Sequence, residues 1–192
     1  MLEGLLVDLV PYDPQFRELE GKWWNGPAGF WNGVGDRPLM TAAQMARWME
    51  GRMDDREQAE RQAVGFGIQT KDGVRIGRIS LNRVRYPHRI ASMGAMIGDP
   101  DYWGSGYGTD AVLLAVDYAF DWLDMHKAVL MTLGTNQRVI RQAAKLGFTL
   151  EQTVRKVFLV DGAFEDGLRY GLLRAAWPGR ETLIQQIGLR AR

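Results

Sequence analysis

The sequence predicts a single mixed α/β (α+β) domain built on one continuous sheet, from three observations. Short apolar or alternating runs recur as strands, longer segments with apolar residues at helical spacing fall between them, and no repeat or low-complexity stretch interrupts the order. A chain of 192 residues, 46% of them apolar, can bury one sizeable core.

In chain order, Leu5 to Val10 is a short apolar run closed by "PYDP", a first strand ending in a turn. "GKWWNGPAGFWNGVGDRP" then sets Trp23, Trp24, Phe30 and Trp31 among glycines and prolines, which predicts an irregular loop. Its aromatics either anchor that loop on the core or wall a substrate pocket. Thr41 caps a helix over "TAAQMARWMEGRM", with Met45, Trp48 and Met49 on its buried face. "AVGFGIQT" and "VRIGRISL" alternate about the turn "KDG" and form a hairpin.

"RIASMGAMIGD" is the next strand and runs straight into "YWGSGYGTDA". After it, Val112, Val116, Ala119, Phe120 and Leu123 line one helix face, with Asp117, Asp121 and Asp124 on the solvated side. "KAVLMTL" is a continuous apolar strand, and Asn136 to Leu146 is a helix capped by Asn136 or Thr135 and stopped at Gly147. "TVRKVFLV" and "GLRYGLLRAAW" are the last two strands, flanking "DGAFED". The domain is placed at residues 1–177, with 178–192 as a C-terminal tail without assigned function.

Composition removes several functional classes. A net charge of +1 and a pI near 8.0 give no basic field to steer nucleic acid or an anionic membrane toward the protein. The absence of cysteine removes thiol nucleophiles and thiolate zinc sites, and no metal is expected. The start "MLEGLLVDLVPYDP" lacks the basic region of a signal peptide, and no apolar run approaches the roughly 20 residues of a membrane span, so a soluble cytoplasmic protein is expected.

Glycine at every second position, Gly104, Gly106 and Gly108, strips side chains from one short run of backbone. The spacing is not that of a P-loop, which needs a lysine, nor the G-x-G-x-x-G of dinucleotide folds. What remains is a strand, a glycine turn and a helix N-terminus, where unpaired amides and the helix dipole favour an anion. A tight turn without a ligand is the other reading.

"IGDPDYWGSGYGTDAVLLAVDYAFDWL" followed by "NQRVIRQAAKLGF" resembles the GCN5-related N-acetyltransferase (GNAT) superfamily, in its branch of ribosomal-protein and polyamine acetyltransferases. "VDLVPYDP", "NRV" and "VDGAFED...YGLLRAAW" extend the resemblance over nearly the whole chain to about Trp177. Trp103 holds the first position of the family's Arg/Gln-x-x-Gly-x-Gly/Ala motif, with Gly106 and Gly108 at the others. The resemblance implies a mostly antiparallel sheet flanked by helices, with a splayed central strand pair that holds acyl-CoA. It implies that Trp103, Gly104, Ser105, Gly106, Tyr107, Gly108 and Thr109 bind the pyrophosphate of coenzyme A. Met96, Ile97 and Gly98 would pair with the pantetheine arm like an extra strand, and the Met96 backbone N–H would polarise the thioester carbonyl. Asn136, Arg141 and Lys145 match the second cofactor segment.

The chemistry this implies is acetyl transfer from acetyl-CoA to a primary amine by direct attack, the acceptor being a small-molecule amine or a protein N-terminus. Trp23, Trp24, Phe30 and Trp31 would line the acceptor pocket. Ser92 stands where relatives often carry glutamate, and either relays a proton through water or is a plain strand serine. Ala143 stands where polyamine enzymes carry tyrosine, so no acid comes from that position. Glu18, Glu20, Asp36 and Asp166 are the candidate carboxylates near the acceptor, and neither His88 nor His126 is assigned a catalytic role. The alternative reading is a non-catalytic acyl-CoA-binding sensor or interaction module; a homodimer is consistent with the family.

Overall fold

A computed structural model describes residues 1–32, 35, 39–41, 43–47, 63–85 and 87–191. Trp48, Met49 and Asp36 therefore lie outside the described residues, as does the rest of the helix expected after Thr41. Where that helix is described, over 43–47, it has the start that "TAAQ" predicts. Thr41 Oγ1 accepts from Gln44 N at 3.2 Å and Gln44 Oε1 accepts from Thr41 N at 2.9 Å, a reciprocal capping box.

Eight strands form one sheet among the described residues, in the order β1-β2-β3-β4-β5-β6-β8-β7. They are β1 (Leu2–Glu3), β2 (Val7–Pro11), β3 (Val64–Thr70), β4 (Arg75–Arg85), β5 (Ile90–Ile97), β6 (Lys127–Leu133), β7 (Thr149–Val160) and β8 (Ala163–Leu173). Every neighbouring pair is antiparallel except β5 and β6, which are parallel. A parallel pair needs a crossover, and the helix after the glycine run supplies it.

The aromatic segment expected as a loop is mostly helical, which corrects that reading. Helix α1 (Pro14–Asn25) starts at Asp13, whose side chain accepts from Gln15 N and Phe16 N, and has proline in its first turn. Phe16, Glu20, Trp23 and Trp24 then recur on one buried face. Gly26 ends it, and Pro27 opens the short α2 (Pro27–Asn32). The glycines and prolines punctuate two helices here; they do not dissolve them.

The sheet separates two apolar clusters. On one face Phe16, Trp23 and Ala28 from α1 and α2 pack with Met96 of β5. On the other lies the main core, where α3 (Tyr107–Asp117) meets Ile79, Leu81 and Ala91 of the sheet. Residues Asp110 through Val116 of α3 are all buried, so this helix is covered on its outer side as well. The cover comes from beyond Trp177: α5 (Arg180–Ile187), numbered after α4 (Gln137–Lys145), buries Leu183 in the main core. Asp117 is accordingly not simply solvated. Its Oδ1 accepts from Trp177 Nε1 at 2.9 Å, Arg180 lies 3.4 Å from Oδ2, and burial raises its carboxyl pKa. Among the described residues no helix is long and apolar enough to cross a membrane.

Candidate functional site

Strands β5 and β6 pair over Ile90↔Lys127 to Met93↔Leu130 and then part. Beyond that point Gly94–Ile97 keep their pairing with β4, and Met131–Leu133 keep theirs with β8. A wedge-shaped gap opens in mid-sheet with the free edge of β5 as one wall. An edge of unpaired amides and carbonyls is a template for an extended ligand.

The orientation of that edge follows from one hydrogen bond. Gly98 N–H donates to Ile76 O at 2.8 Å, and the register pairs Arg78 with Met96. Antiparallel strands alternate, so Met96, two residues earlier, also turns its N–H and C=O toward β4. Ala95 and Ile97 turn theirs into the gap. Trp103 Nε1 donating to Ile97 O at 2.8 Å agrees. The expected oxyanion donor, Met96 N–H, is thus spent inside the sheet, and the amides that face the gap are those of Ala95 and Ile97. The Met96 side chain is buried under α1, and Gly98 gives Trp23 room: a Cβ there would lie 2.1 Å from the indole.

Past Gly98 the chain makes a 3₁₀ turn over Pro100–Tyr102 and reaches the glycine run. Gly104 (φ +76°) and Gly106 (φ +94°) are left-handed, a conformation that L side chains rarely adopt. Gly106 is the N-cap of α3 without any side-chain cap, and the first helical bond runs from Asp110 N to Gly106 O at 2.9 Å. The amides of Tyr107, Gly108 and Thr109 therefore precede any intrahelical bond. A Cβ on Gly104 would meet nothing within 4 Å, so the turn is open on that side. Open, uncapped amides at a helix N-terminus fit a pyrophosphate.

The opposite wall is α4. Asn136 Oδ1 accepts from Val139 N at 3.4 Å and caps it, and Gly147 (φ +81°) follows its end. Arg141 and Lys145 are exposed on it, while Ala143 is buried in the main core. Gln142 Nε2 donates to Thr109 Oγ1 at 3.2 Å and links the two walls.

Four further placements bear on the acceptor. Ser92 is half-buried and pairs with Asn82 and Val129, one residue before the strands part. On the same face of the sheet Asn82 Nδ2 donates to Ser80 Oγ at 2.8 Å, so Ser80, Asn82 and Ser92 make a polar floor beside Gly94. Trp23 and Trp24 are used in the core, which leaves Phe30 and Trp31 as the half-buried aromatics of the segment. Gly35, beyond α2, lies against Val160 at the end of β7, so this segment reaches the last hairpin.

None of the described candidate carboxylates reaches into the gap free of partners. Glu20, 3% exposed, accepts from Tyr12 Oη and from Trp24 Nε1 (3.1 Å). Arg78 Nε lies 2.8 Å from the same carboxylate, an ion pair whose N–H is not aimed along the hydrogen-bond direction. Burial, together with the Glu20 carboxylate, pushes the Tyr12 phenol up. Glu18 lines an open depression with Lys22, Arg75 and Asp99. Asp166 Oδ1 accepts from Lys156 N at 2.9 Å. His126 precedes β6 at the end of the sheet away from the gap, and His88 is exposed in a turn. No group of side chains suited to a metal ion occurs among the described residues.

Sequence reasoning missed Asp110 and Arg138. Asp110 is fully buried in the first turn of α3, and its Oδ2 accepts from Leu6 N (2.6 Å) and Val7 N (3.0 Å), which fixes β2 against the glycine turn. Arg138, exposed in the first turn of α4, lies over two indoles, its Cζ 4.0 Å from the centre of the Trp103 ring and 5.3 Å from that of Trp31. Partial desolvation lowers its pKa. The signal for Arg138 was its position, because a cation directly after a helix cap opposes the dipole.

Three comparisons with known proteins bear on this geometry. The model of the acetyltransferase (GNAT) domain family matches residues 6–149. Spermidine N(1)-acetyltransferase of Escherichia coli (strain K12) is 33% identical over 98 residues, 51% of this chain and 52% of that protein. The putative ribosomal N-acetyltransferase YdaF of Bacillus subtilis is 28% identical over 110 residues, 57% of this chain and 60% of that one. The chain spans about half the length of the curated relatives it matches. Among solved structures, Mycobacterium smegmatis RimJ in complex with CoA-disulfide superposes with a TM-score of 0.76 at 19% identity, covering 95% of this chain and 89% of that one. Vibrio cholerae spermidine N-acetyltransferase in complex with CoA and spermine gives 0.75 at 19%, covering 89% and 97%.

Proposed function

The chain belongs to the GNAT acetyltransferase family, and we propose that it is an acetyl-CoA-dependent N-acetyltransferase acting on a primary amine. The observation that carries the reading is the continuous path from the β5 edge at Gly94–Ile97, which no longer pairs with β6, to the uncapped amides after Gly104 and Gly106. Tyr107, Gly108 and Thr109 N–H would hold the pyrophosphate, with Gly104, Ser105 and Gly106 shaping the turn. Ala95 and Ile97 would pair with the pantetheine arm, and Asn136, Arg141 and Lys145 would hold the cofactor from the side of α4.

When bound, acetyl-CoA supplies an acyl C–S bond that breaks as the amine nitrogen forms its C–N bond, with a proton leaving the amine and the thiolate departing. The chain's own contribution is chiefly positioning, which in well-oriented systems is worth up to roughly 7–11 kcal/mol. An N–H of Ala95 or Ile97 aimed at the acyl oxygen adds about 3 kcal/mol. The floor of Ser80, Asn82 and Ser92 holds the amine and a water that takes its proton. With Ala143 buried, the coenzyme thiolate leaves without help from an acid at that position.

Amine-dependent release of coenzyme A from acetyl-CoA tests the reading. Release that requires an added primary amine is the expected result. Binding of acetyl-CoA without turnover of any amine would instead mark the chain as a non-catalytic acyl-CoA-binding module. The same reading includes a cytoplasmic location and a homodimer. For the dimer, Leu159 and Phe164, paired across β7 and β8 at 60% and 58% exposure, offer an apolar face.

A further inference from the structure

We propose that Arg138 is a specificity-determining residue that reads a carboxylate on the acceptor, so that the preferred amine carries an anionic group beside an apolar or aromatic portion. This rests on the N-acetyltransferase reading and concerns the acceptor half of the same site.

The first observation is how Arg138 is held. Its guanidinium carbon lies 4.0 Å from the centre of the Trp103 ring and 5.3 Å from that of Trp31, so two cation–π contacts hold it while the side chain stays exposed. Among the described residues it has neither an ion pair nor a hydrogen bond. A guanidinium carries its N–H donors as a planar fork, the geometry that takes a carboxylate through two parallel hydrogen bonds. The two ring contacts also limit side-chain motion, so less entropy is lost when the fork is used.

Location is the second observation. Arg138 sits in the first turn of α4, where a cation is disfavoured by the helix dipole, and no acidic residue in that turn offsets it. An anion at this place relieves both the unpaired guanidinium and the helix N-terminus.

The third is which face the aromatic partners belong to. Trp103 packs on the cluster of Phe16, Trp23, Ala28 and Met96, and Trp31 is carried by α2. That is the α1 and α2 face of the sheet, whereas the phosphate turn heads α3 on the other. Gln142, one helical turn beyond Arg138, is the residue that reaches Thr109 on that turn. The edge of Arg138 therefore serves the acceptor. Phe30, edge-on to Trp31 at 4.9 Å, extends the wall for an apolar group. A polycation meets a fixed positive charge here.

The test is a matched pair of amines, phenylalanine and phenethylamine, with spermidine alongside, assayed by coenzyme A release in wild type, Arg138→Gln and Arg138→Lys. Wild type is expected to favour phenylalanine over phenethylamine in kcat/KM by about tenfold or more, chiefly through KM. Arg138→Gln should abolish that preference and Arg138→Lys should keep part of it. The melting shift with coenzyme A alone should be the same in all three proteins. Equal use of the pair by wild type, or a preference for spermidine, would overturn the inference while leaving acetyl transfer intact. Loss of the coenzyme A shift in Arg138→Gln would also overturn it, because the guanidinium would then be holding a cofactor phosphate. Absence of turnover with every amine would remove the N-acetyltransferase reading, and this inference with it.

Discussion

Glu20 holds three partners at once, Tyr12, Trp24 and Arg78, and is the one buried carboxylate that ties α1 to β4. Removing one member of a buried ion pair strands the others, which typically costs about 3–5 kcal/mol. Glu20→Ala should lose that much in urea unfolding, and a loss under about 1 kcal/mol would show that the network is not what fixes α1. At this scale the sequence was uneven as a guide. Gly104 and Gly106 could be singled out because their spacing before a helix has few physical explanations, and both are left-handed. The amide offered to the gap could not, since Met96 and its neighbours differ only in the parity set by Gly98 N–H on Ile76 O. Arg138 is not distinguishable in the sequence from other surface cations, because what sets it apart is its contact with Trp31 and Trp103, which are distant in the chain.

Local punctuation was legible for most elements and misleading for one kind. The strand pattern and the caps at Thr41 and Asn136 correspond to structure because each rests on short-range chemistry. The tryptophan segment does not read as helix, because Gly26 and Pro27 have the composition of a loop and here separate α1 from α2. Helix α5 was not foreseen either. Its place depends on α3 being apolar on its outer side, a tertiary fact. Leu183 enters the main core, and a Cβ on Gly106 would lie 2.7 Å from Leu189 Cδ1, so the segment beyond Trp177 backs the glycine turn. Leu183→Ala should cost about 2–5 kcal/mol. Truncation after Trp177 should lower the melting temperature further and weaken the coenzyme A shift. A truncated protein with wild-type melting and an unchanged shift would show that α5 is an accessory.

For the molecule as a whole, the fold class and the glycine turn were readable from the chain, whereas the proposed acceptor side was not, because it would be assembled from segments far apart in sequence, α2 and α4 among them. The gap between β5 and β6 unites the two halves, and coenzyme A is proposed to lie in it with its pyrophosphate on the amides of Tyr107 to Thr109. Gly108 is the glycine at which this can be blocked most cleanly. Unlike Gly104 and Gly106 it is not left-handed, and a Cβ there meets Ile97 at 3.4 Å and Gln142 at 3.8 Å. A larger side chain can therefore enter the channel without straining the turn. The deciding measurement is thermal melting of wild type and Gly108→Phe with and without coenzyme A. At 100 times its dissociation constant, a ligand stabilises the native state by about 2.7 kcal/mol, a rise of roughly 5–10 °C for a chain of this size. The proposed placement of coenzyme A predicts that rise in wild type and its loss in Gly108→Phe, with the ligand-free melting of the variant close to wild type. An equal rise in both proteins, or none in wild type, would contradict it.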